Sequence, residues 1–242
     1  MNLANGKKVF TLEYYQTGFS GWGRSSRVLW VIGILIQLSI GFYSGFSLLS
    51  LTSTFAGIIG FTCTLAITNG KSINGLLGFI SALMLVYVAL KTHNYSDIVM
   101  QLAYIILLDL PIVFSNSWNE QELEVRKLKV KGIIGFIGIF IVFFIACYLL
   151  DTKILHSPQA FLDAFSASIG LTGAVLCVQR YRAQYYLWTL QSLISIMLWI
   201  QTAINGHPVW VLMITYMLYI SNNIVAFADS KWFTKKSEMI AK

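Results

Sequence analysis

Long apolar stretches alternate with short polar stretches along the chain after its first 27 residues. Eight apolar runs approach the ~20 residues that a helix needs to cross the hydrocarbon core of a bilayer. They cover residues 28–50, 54–68, 73–90, 98–117, 132–150, 160–178, 184–204 and 209–228. The second run is the shortest and is rich in glycine. The pattern predicts an all-α integral membrane protein with eight transmembrane helices.

Residues that favour turns stand between several of these runs. They are Asn69-Gly70, His93-Asn94, Ser157-Pro158 and Asn205-Gly206-His207-Pro208. The segment before the first run is polar, aromatic and basic, and no cleavable signal peptide is visible in it. We therefore expect the chain to enter the membrane at its first long apolar run.

The composition supports a membrane location. Of the 242 residues, 57% are hydrophobic and only 11% are charged, whereas soluble domains carry about 25% charged residues. The net charge of +7 does not indicate a nucleic-acid partner, because the basic residues lie in short stretches between apolar runs. Cys63, Cys147 and Cys177 lie inside apolar runs without metal-ligand spacing, so we expect buried thiols, no metal and no cofactor.

Lysine and arginine predict the orientation, because cytoplasmic loops carry an excess of them. With eight spans and a cytoplasmic N-terminus, fifteen of the seventeen cationic residues fall on the cytoplasmic side. They are Lys7, Lys8, Arg24, Arg27, Lys71, Arg126, Lys127, Lys129, Lys131, Arg180, Arg182, Lys231, Lys235, Lys236 and Lys242. Only Lys91 and Lys153 fall outside. Seven or nine spans would scramble this segregation, so we expect both termini in the cytoplasm.

The order of features repeats between residues 54–118 and 160–232. Each segment holds three runs, a basic turn after the first and an asparagine turn after the second. The fifth run separates the segments, so the two triplets have the same orientation. We predict a 3 + 1 + 3 core with one extra helix in residues 1–53, a basic loop and linker helix in 119–159, and a cytoplasmic tail in 233–242. Transporters built from parallel repeats bind substrate between the halves.

Ionisable groups inside a membrane are costly and mark candidate functional sites. Asp109 lies in the middle of the fourth run, two residues before Pro111, which kinks a helix. Asp109 could serve a substrate or an ion, or it could only brace the broken helix. Asp163 begins the sixth run and is either functional or simply an acidic residue at a helix N-terminus.

The seventh run carries a polar and aromatic face. Trp188, Gln191, Ser192 and Ser195 lie on one side of a helix, and Trp199 continues it. This face suits a flat heteroaromatic solute with an amide or sugar hydroxyls, and a cationic ring would gain from the tryptophan faces. The alternative is contact between helices, which Ser and Gln commonly mediate in membranes. The same spacing recurs in the fourth and eighth runs, at Gln101, Tyr104, Tyr216, Tyr219, Asn222 and Asn223.

Motifs for an enzyme or an ATP-driven pump are absent from the sequence. It contains neither a Walker motif nor a G-x-S-x-G nucleophile elbow. The three histidines all fall in predicted outer loops, so we expect no intramembrane histidine metal site. We therefore predict that the protein is not an enzyme.

Three stretches resemble the nicotinamide riboside transporter (PnuC) family. "FLDAFSASIGLTGAVLCVQRYRAQYYLW" (161–188) is similar to the family's F-x-D…R/K-x-Y-x-E-N-W-x-x-W run. "KSINGLLGFIS" (71–81) resembles the counterpart in the first half, with Asn74 and Gly78 in place, and "YSDIVMQLAY" (95–104) matches at Gln101. The resemblance extends from about residue 55 to 232. The sequence departs from the family pattern at Ala183, Tyr185, Ser192 and Asp109.

The resemblance implies vitamin B3 uptake across a bacterial inner membrane by facilitated diffusion, and a fold like the SWEET transporters. A cytoplasmic nucleoside kinase would trap the imported riboside for NAD biosynthesis. Trp188 would stack on the nicotinamide ring, with Trp199 or Tyr185. Other side chains would bond the carboxamide and ribose: Gln191, Ser192, Gln101 and Asn222. The two triplets would rock about Pro111 and the loop glycines.

Other functions remain open at this stage. The same architecture carries thiamine, riboflavin or deoxynucleosides in sister branches, so a competition series would separate these substrates. A membrane receptor would bind ligand without flux, and a membrane enzyme would turn it over. Gly132, Gly135 and Gly138 in the fifth run allow close helix packing, within the chain or in a homo-oligomer.

Overall fold

Eight long apolar helices make up most of the computed structural model, which describes residues 3–118, 123–157 and 159–233. We number them as spans 1 to 8: Arg24–Tyr43, Leu48–Thr68, Ile73–Lys91, Tyr95–Phe114, Val130–Lys153, Ala160–Val178, Gln184–Ile204 and Trp210–Asp229. Each is long and apolar enough to cross a membrane. The described residues contain no β-strand, only one isolated bridge between Arg126 and Tyr181. The predicted class, an all-α protein with eight transmembrane helices, is confirmed.

The boundary between spans 1 and 2 differs from the prediction. Span 1 ends at Tyr43 rather than near residue 50, and span 2 begins at Leu48 rather than at 54. Gly45 breaks the helix with a φ of 94°, a region that favours glycine. The Ser47 hydroxyl then accepts a hydrogen bond from the Ser50 amide and caps span 2. Apolar residues on both sides of the break hid it, and span 2 is of full length.

Two short helices that the apolar pattern did not indicate precede span 1. They are Leu3–Lys8 and Leu12–Phe19. The second is anchored by Tyr14, whose hydroxyl donates to the Ser72 carbonyl at 3.1 Å. Burial raises the pKa of Tyr14 above its ordinary value. The second helix therefore packs on the loop between spans 2 and 3, whereas the first packs against the end of span 4.

The two ends of the bundle differ in their loops. The basic end holds the turns around Lys71, Arg126 and Arg180, where spans 2, 4, 6 and 8 end and spans 1, 3, 5 and 7 begin. The histidine end holds His93, His156 and His207. Lys235, Lys236, Lys242 and the tail from residue 234 lie outside the described residues, as does Pro158.

Spans 2–4 and 6–8 pack as two triplets. Within each triplet, the middle span packs against both of its neighbours. The triplets meet where span 2 packs against span 8 and where span 4 packs against span 6. If spans 2, 3 and 4 correspond to spans 6, 7 and 8, the contact between spans 2 and 8 corresponds to the contact between spans 6 and 4. The predicted 3 + 1 + 3 domain organisation is compatible with this packing and stays a prediction.

Spans 1 and 5 lie at the periphery. Span 1 packs against spans 2 and 8, where its buried Gln37 side chain accepts a hydrogen bond from Thr215 at 2.9 Å. Span 5 packs mainly on span 6, through aromatic contacts such as Phe144 with Phe165. Among the described residues, a Cβ atom at Gly135 or Gly138 would meet nothing within 4 Å. The glycine face of span 5 is therefore not used for packing within the described part of the chain.

Candidate functional site

A cavity of about 120 Å³ lies between the two triplets. The cavity is lined from spans 2, 3, 4, 7 and 8 by Gly60, Cys63, Thr64, Ile67, Gly78, Ser81, Ala82, Leu85, Gln101, Tyr104, Leu108, Asp109, Tyr185, Trp188, Gln191, Ser192, Tyr216, Tyr219, Asn222 and Asn223. We call it the central cavity. Aromatic rings, amides and hydroxyls dominate its surface, so it can both stack on and hydrogen-bond a small polar ring.

Span 7 contributes the predicted aromatic and amide face. The Gln191 amide donates to the Tyr104 hydroxyl at 2.8 Å, so spans 7 and 4 are joined across the cavity wall. The Trp188 indole donates to the Gly170 carbonyl at 3.4 Å. A Cβ atom on Gly173 would lie 2.7 Å from Trp188 Cδ1, and one on Gly170 would crowd Gln191. The two glycines of span 6 therefore let both side chains lie flat against it.

Span 8 contributes a second polar wall. The Asn222 amide oxygen accepts from the Thr68 hydroxyl at 3.0 Å, and Thr68 also bonds the Tyr185 hydroxyl at 3.2 Å. Asn223 donates to the Thr189 hydroxyl at 3.0 Å. The amide nitrogen of Asn222 and the oxygen of Asn223 are not engaged in these bonds. This wall can therefore both donate to and accept from a solute.

Asp109 places a carboxyl group in the same cavity. Its side chain is only 2% exposed, and Oδ2 has no hydrogen-bond partner among the described residues. Span 4 is irregular there, because Ile105–Asp109 form a π-helical turn just before Pro111. Proline lacks the amide hydrogen that would continue the helix, and π turns often occur at functional positions. The irregular turn orients Asp109 toward Gly78 of span 3.

Two further cavities lead toward the histidine end. The middle cavity, about 40 Å³, is lined by residues of spans 4 and 6–8, including Asp163, Ser195 and Trp199. The outer cavity, about 290 Å³, is lined by the loops around His93, His156 and His207 and also by Asp163. Tyr216 lines both the central and the middle cavity. The three cavities follow one another from the middle of the bundle to the histidine end.

An aromatic cluster closes the central cavity toward the basic end. Ile67 and Tyr185 line the cavity, and behind them lies the fully buried Trp232, whose indole donates to the Ile67 carbonyl at 2.9 Å. Trp118 packs against Trp232 with ring centroids 6.1 Å apart. Lys71 lies in the turn beyond, where burial and then the charge of Lys231 lower the pKa of Lys71. This end of the cavity is therefore closed by packed rings.

The structure brings most of the predicted site residues together. Nine of them line the central cavity: Gln101, Tyr104, Asp109, Tyr185, Trp188, Gln191, Ser192, Asn222 and Asn223. Ser195, Trp199 and Asp163 line the middle cavity instead. The Asn74 amide donates to the Lys71 carbonyl at 2.5 Å and does not line the cavity. Pro111 lies beyond the kink of span 4 and does not line it either. That these residues bind a solute stays a prediction.

Sequence reasoning did not assign the wall that span 2 provides. Gly60, Cys63, Thr64 and Ile67 recur at the spacing of one helix face. Cys63 was expected only to be buried, and it also lines the cavity, with its thiol donating to the Asn74 carbonyl at 3.2 Å. Span 3 adds Ser81, which donates to the Ala56 carbonyl at 2.9 Å. The small-residue periodicity of span 2 was the signal that could have found this wall.

No group of three or more histidine, cysteine or acidic side chains within residues 3–118, 123–157 and 159–233 has the arrangement of a metal site. In the part of the chain that the structure describes, the central cavity also has no lysine, arginine or histidine in its lining. Asp109 is the one ionisable group in that lining with an ordinary pKa below neutral. Apart from the acidic Asp109, the lining therefore consists of neutral polar groups and apolar groups.

Comparison with known proteins gives consistent matches over most of the chain. The family model described as "Nicotinamide mononucleotide transporter" matches residues 50–234. A protein named nicotinamide riboside transporter PnuC from Neisseria mucosa is 23% identical over 92% of this chain and 87% of its own. One with the same name from Haemophilus influenzae is 26% identical over 90% of this chain and 94% of its own. A crystal structure of the vitamin B3 transporter PnuC matches with a TM-score of 0.81 at 20% identity, covering 96% of this chain and 100% of that one. At this identity, the structural match shows the fold.

Proposed function

The chain belongs to the nicotinamide mononucleotide transporter family, and we propose that it carries nicotinamide riboside, a form of vitamin B3, across a bacterial inner membrane by facilitated diffusion. The names of the relatives from Neisseria mucosa and Haemophilus influenzae point to the riboside. The family name points to the mononucleotide, which differs by a 5′-phosphate. The chemistry of the central cavity favours the riboside.

The charge of the cavity lining favours the riboside over the mononucleotide. A phosphate brings a charge of about −1.5 to −2 at neutral pH and is usually bound by arginine, lysine or a helix N-terminus. The described lining offers none of these basic side chains and contains Asp109 instead. Placing a phosphate there would be costly, because a buried anion needs a basic side chain or several hydrogen-bond donors to replace water. The riboside, which has no phosphate, meets no such penalty.

The remaining lining suits the rest of the riboside. Trp188 borders the cavity, and in our proposal its ring stacks on the nicotinamide ring. Amides and hydroxyls on spans 4, 7 and 8 can bond the carboxamide and the ribose hydroxyls. In our proposal these groups are Gln101, Gln191, Ser192 and Asn222. Gln191 is held in place by Tyr104, so it loses little freedom when a solute binds.

Transport would follow from rocking of the two triplets. In this structure the central cavity is closed at the basic end by the cluster around Trp232, and Tyr216 stands between it and the middle cavity. Movement at the seam between spans 4 and 6 would open one side and close the other. Pro111 and the π turn before it supply a kinked segment that can absorb such movement. A cytoplasmic kinase would then trap the riboside as its phosphate.

The orientation proposal places the basic end in the cytoplasm. Lys71, Arg126, Arg180 and Arg182 all lie there among the described residues, whereas Lys91 and Lys153 lie at the histidine end. Solute would then enter from outside through the outer and middle cavities. It would leave past the aromatic cluster once that cluster opens.

The experiment that tests the substrate is a titration of the purified protein with nicotinamide riboside, nicotinamide mononucleotide and thiamine, followed by tryptophan fluorescence. We expect the riboside to quench the fluorescence with a micromolar Kd, which corresponds to a binding free energy of about −8 kcal/mol. The mononucleotide should give no saturable quenching. Preference for thiamine would keep the carrier and change its substrate. Equal binding of riboside and mononucleotide would contradict the charge argument.

A further inference from the structure

An acidic side chain in the wall of the central cavity takes no part in the stacking and hydrogen bonding proposed for the riboside. Asp109 is 2% exposed and borders the cavity, and its Oδ2 has no hydrogen-bond partner among the described residues. A buried carboxylate without a partner is costly in an apolar interior. Such a group persists where a ligand or an ion supplies the missing partner, so Asp109 calls for a functional explanation.

The local structure makes room for this carboxyl group. The π turn Ile105–Asp109 widens span 4, and Gly75 and Gly78 lie one turn apart on the facing side of span 3. A Cβ atom on Gly75 would lie 2.7 Å from the Asp109 backbone carbonyl. A Cβ atom on Gly78 would collide with the Asp109 carboxyl group itself. Two glycines and an irregular turn thus combine to hold one carboxyl group at the cavity wall.

No compensating cation contributes to the cavity lining. In the described part of the chain, no lysine, arginine or histidine lines the central cavity. The neighbouring lining groups are neutral under ordinary conditions: Tyr104, Leu108, Ser81 and Cys63. Within the described residues, a positive charge beside an ionised Asp109 would therefore come from a molecule in the cavity. The nicotinamide ring of the riboside carries such a charge, because its ring nitrogen is bonded to the ribose as a pyridinium.

We propose that Asp109 is the counter-ion for a positively charged heteroaromatic ring and makes this cavity select cationic solutes over neutral ones of the same shape. This inference rests on the proposed function for its substrate, but it assigns a role to a residue that the stacking and hydrogen-bonding groups do not explain. An opposite charge nearby stabilises the ionised carboxylate, and the carboxylate stabilises the ring cation in the same way.

The test compares nicotinamide riboside with benzamide riboside, which has the same carboxamide and ribose but a neutral ring. Binding of both to the purified full chain is measured by calorimetry, for the wild type and for Asp109→Asn. Asparagine keeps the size of the side chain and removes its charge. The matched control is Asp229→Asn, because Asp229 is exposed at the basic end, away from the central cavity, and its carboxylate accepts a hydrogen bond from Ser25.

We expect the wild type to bind the cationic riboside at least ~10-fold more tightly than the neutral one, since close charge pairs commonly couple by more than ~1.5 kcal/mol. Asp109→Asn should lose most of this ratio by weakening the cation alone, while Asp229→Asn should keep it. Trp188 also favours a cation, so a wild-type preference for the cationic riboside does not by itself identify the counter-ion. The decisive result is how much Asp109→Asn reduces the ratio of the two Kd values.

The outcomes separate this inference from the proposed function. If the wild type binds both ribosides equally, or if Asp109→Asn weakens both by the same factor, Asp109 is not a counter-ion although the riboside is still bound. If the wild type binds neither riboside, the proposed substrate is wrong. Thiamine and its neutral deaza analogue then replace the ribosides in the same comparison. Wild-type binding without a preference for the cation would overturn the inference there too. If Asp109→Asn misfolds, Asp109→Ser takes its place, and an unchanged ratio in that variant would overturn the inference as well.

Discussion

Trp188 provides the most direct test of the solute pose, because its ring lines the central cavity and is the proposed stacking surface. Its ring is partly exposed to the central cavity, and its indole makes one long hydrogen bond, 3.4 Å, to the Gly170 carbonyl. Replacing Trp188 by alanine removes the stacking surface from one side of the cavity. The helix itself tolerates alanine well.

The size of the effect follows from stacking energies. Removing an aromatic side chain that stacks on a base costs about 1–3 kcal/mol in binding free energy. At ~1.4 kcal/mol for each factor of ten, the Kd for nicotinamide riboside should rise by about 5-fold to about 140-fold. Trp188→Phe should lie between the wild type and Trp188→Ala, because it keeps a smaller aromatic face.

The assay is calorimetric titration in detergent, which does not depend on the tryptophan signal that the substitution removes. Trp210→Ala is the matched control, since Trp210 is 46% exposed at the histidine end and lines none of the three cavities. The control should bind like the wild type. A Trp188→Ala protein that is folded and binds the riboside with unchanged Kd would refute the stacking pose.

Three further predictions concern the aromatic cluster, the kink and the orientation. Tyr185→Phe removes a buried hydrogen bond of the hydroxyl, worth about 1 kcal/mol, and should lower Tm by about 2–4 °C in differential scanning fluorimetry. Tyr186→Phe, at the exposed neighbouring residue, should leave Tm unchanged. Pro111→Ala should straighten span 4 and slow uptake into proteoliposomes at unchanged Kd; unchanged uptake would argue against a hinge there. In a background without the native cysteines, Asn205→Cys should react with an impermeant maleimide in intact cells and Gln179→Cys only after permeabilisation. The reverse pattern would invert the orientation.

The sequence predicted the number and type of the helices because membrane burial leaves a strong signal. Each span needs a long apolar run, and loop charges follow the side of the membrane. The break at Gly45 was not found, because the residues on both sides of it are apolar and a hydropathy pattern cannot resolve a four-residue loop between apolar neighbours. The short N-terminal helices are held by contacts such as that of Tyr14 with Ser72, which no local pattern contains.

Part of the site could also be predicted from the sequence, because residues on one face of a helix recur at a fixed spacing. Helical periodicity placed Trp188 and Gln191 on one face, and both line the central cavity. The same face continues to Ser195 and Trp199, which line the middle cavity, because periodicity gives the side of a helix and not the depth along it. The proximity of Asp109 to Gly78 joins spans 3 and 4, and such a contact between distant positions is absent from any local pattern.

Flux of nicotinamide riboside into proteoliposomes tests the central claim most directly. The purified protein is reconstituted without ATP or an ion gradient, and entry of labelled riboside is followed over time. Facilitated diffusion predicts that the internal concentration of riboside rises to the external concentration and no further. It also predicts that the label exchanges when unlabelled riboside is present on either side. Binding without any flux would identify a receptor, and accumulation above the external concentration would contradict facilitated diffusion.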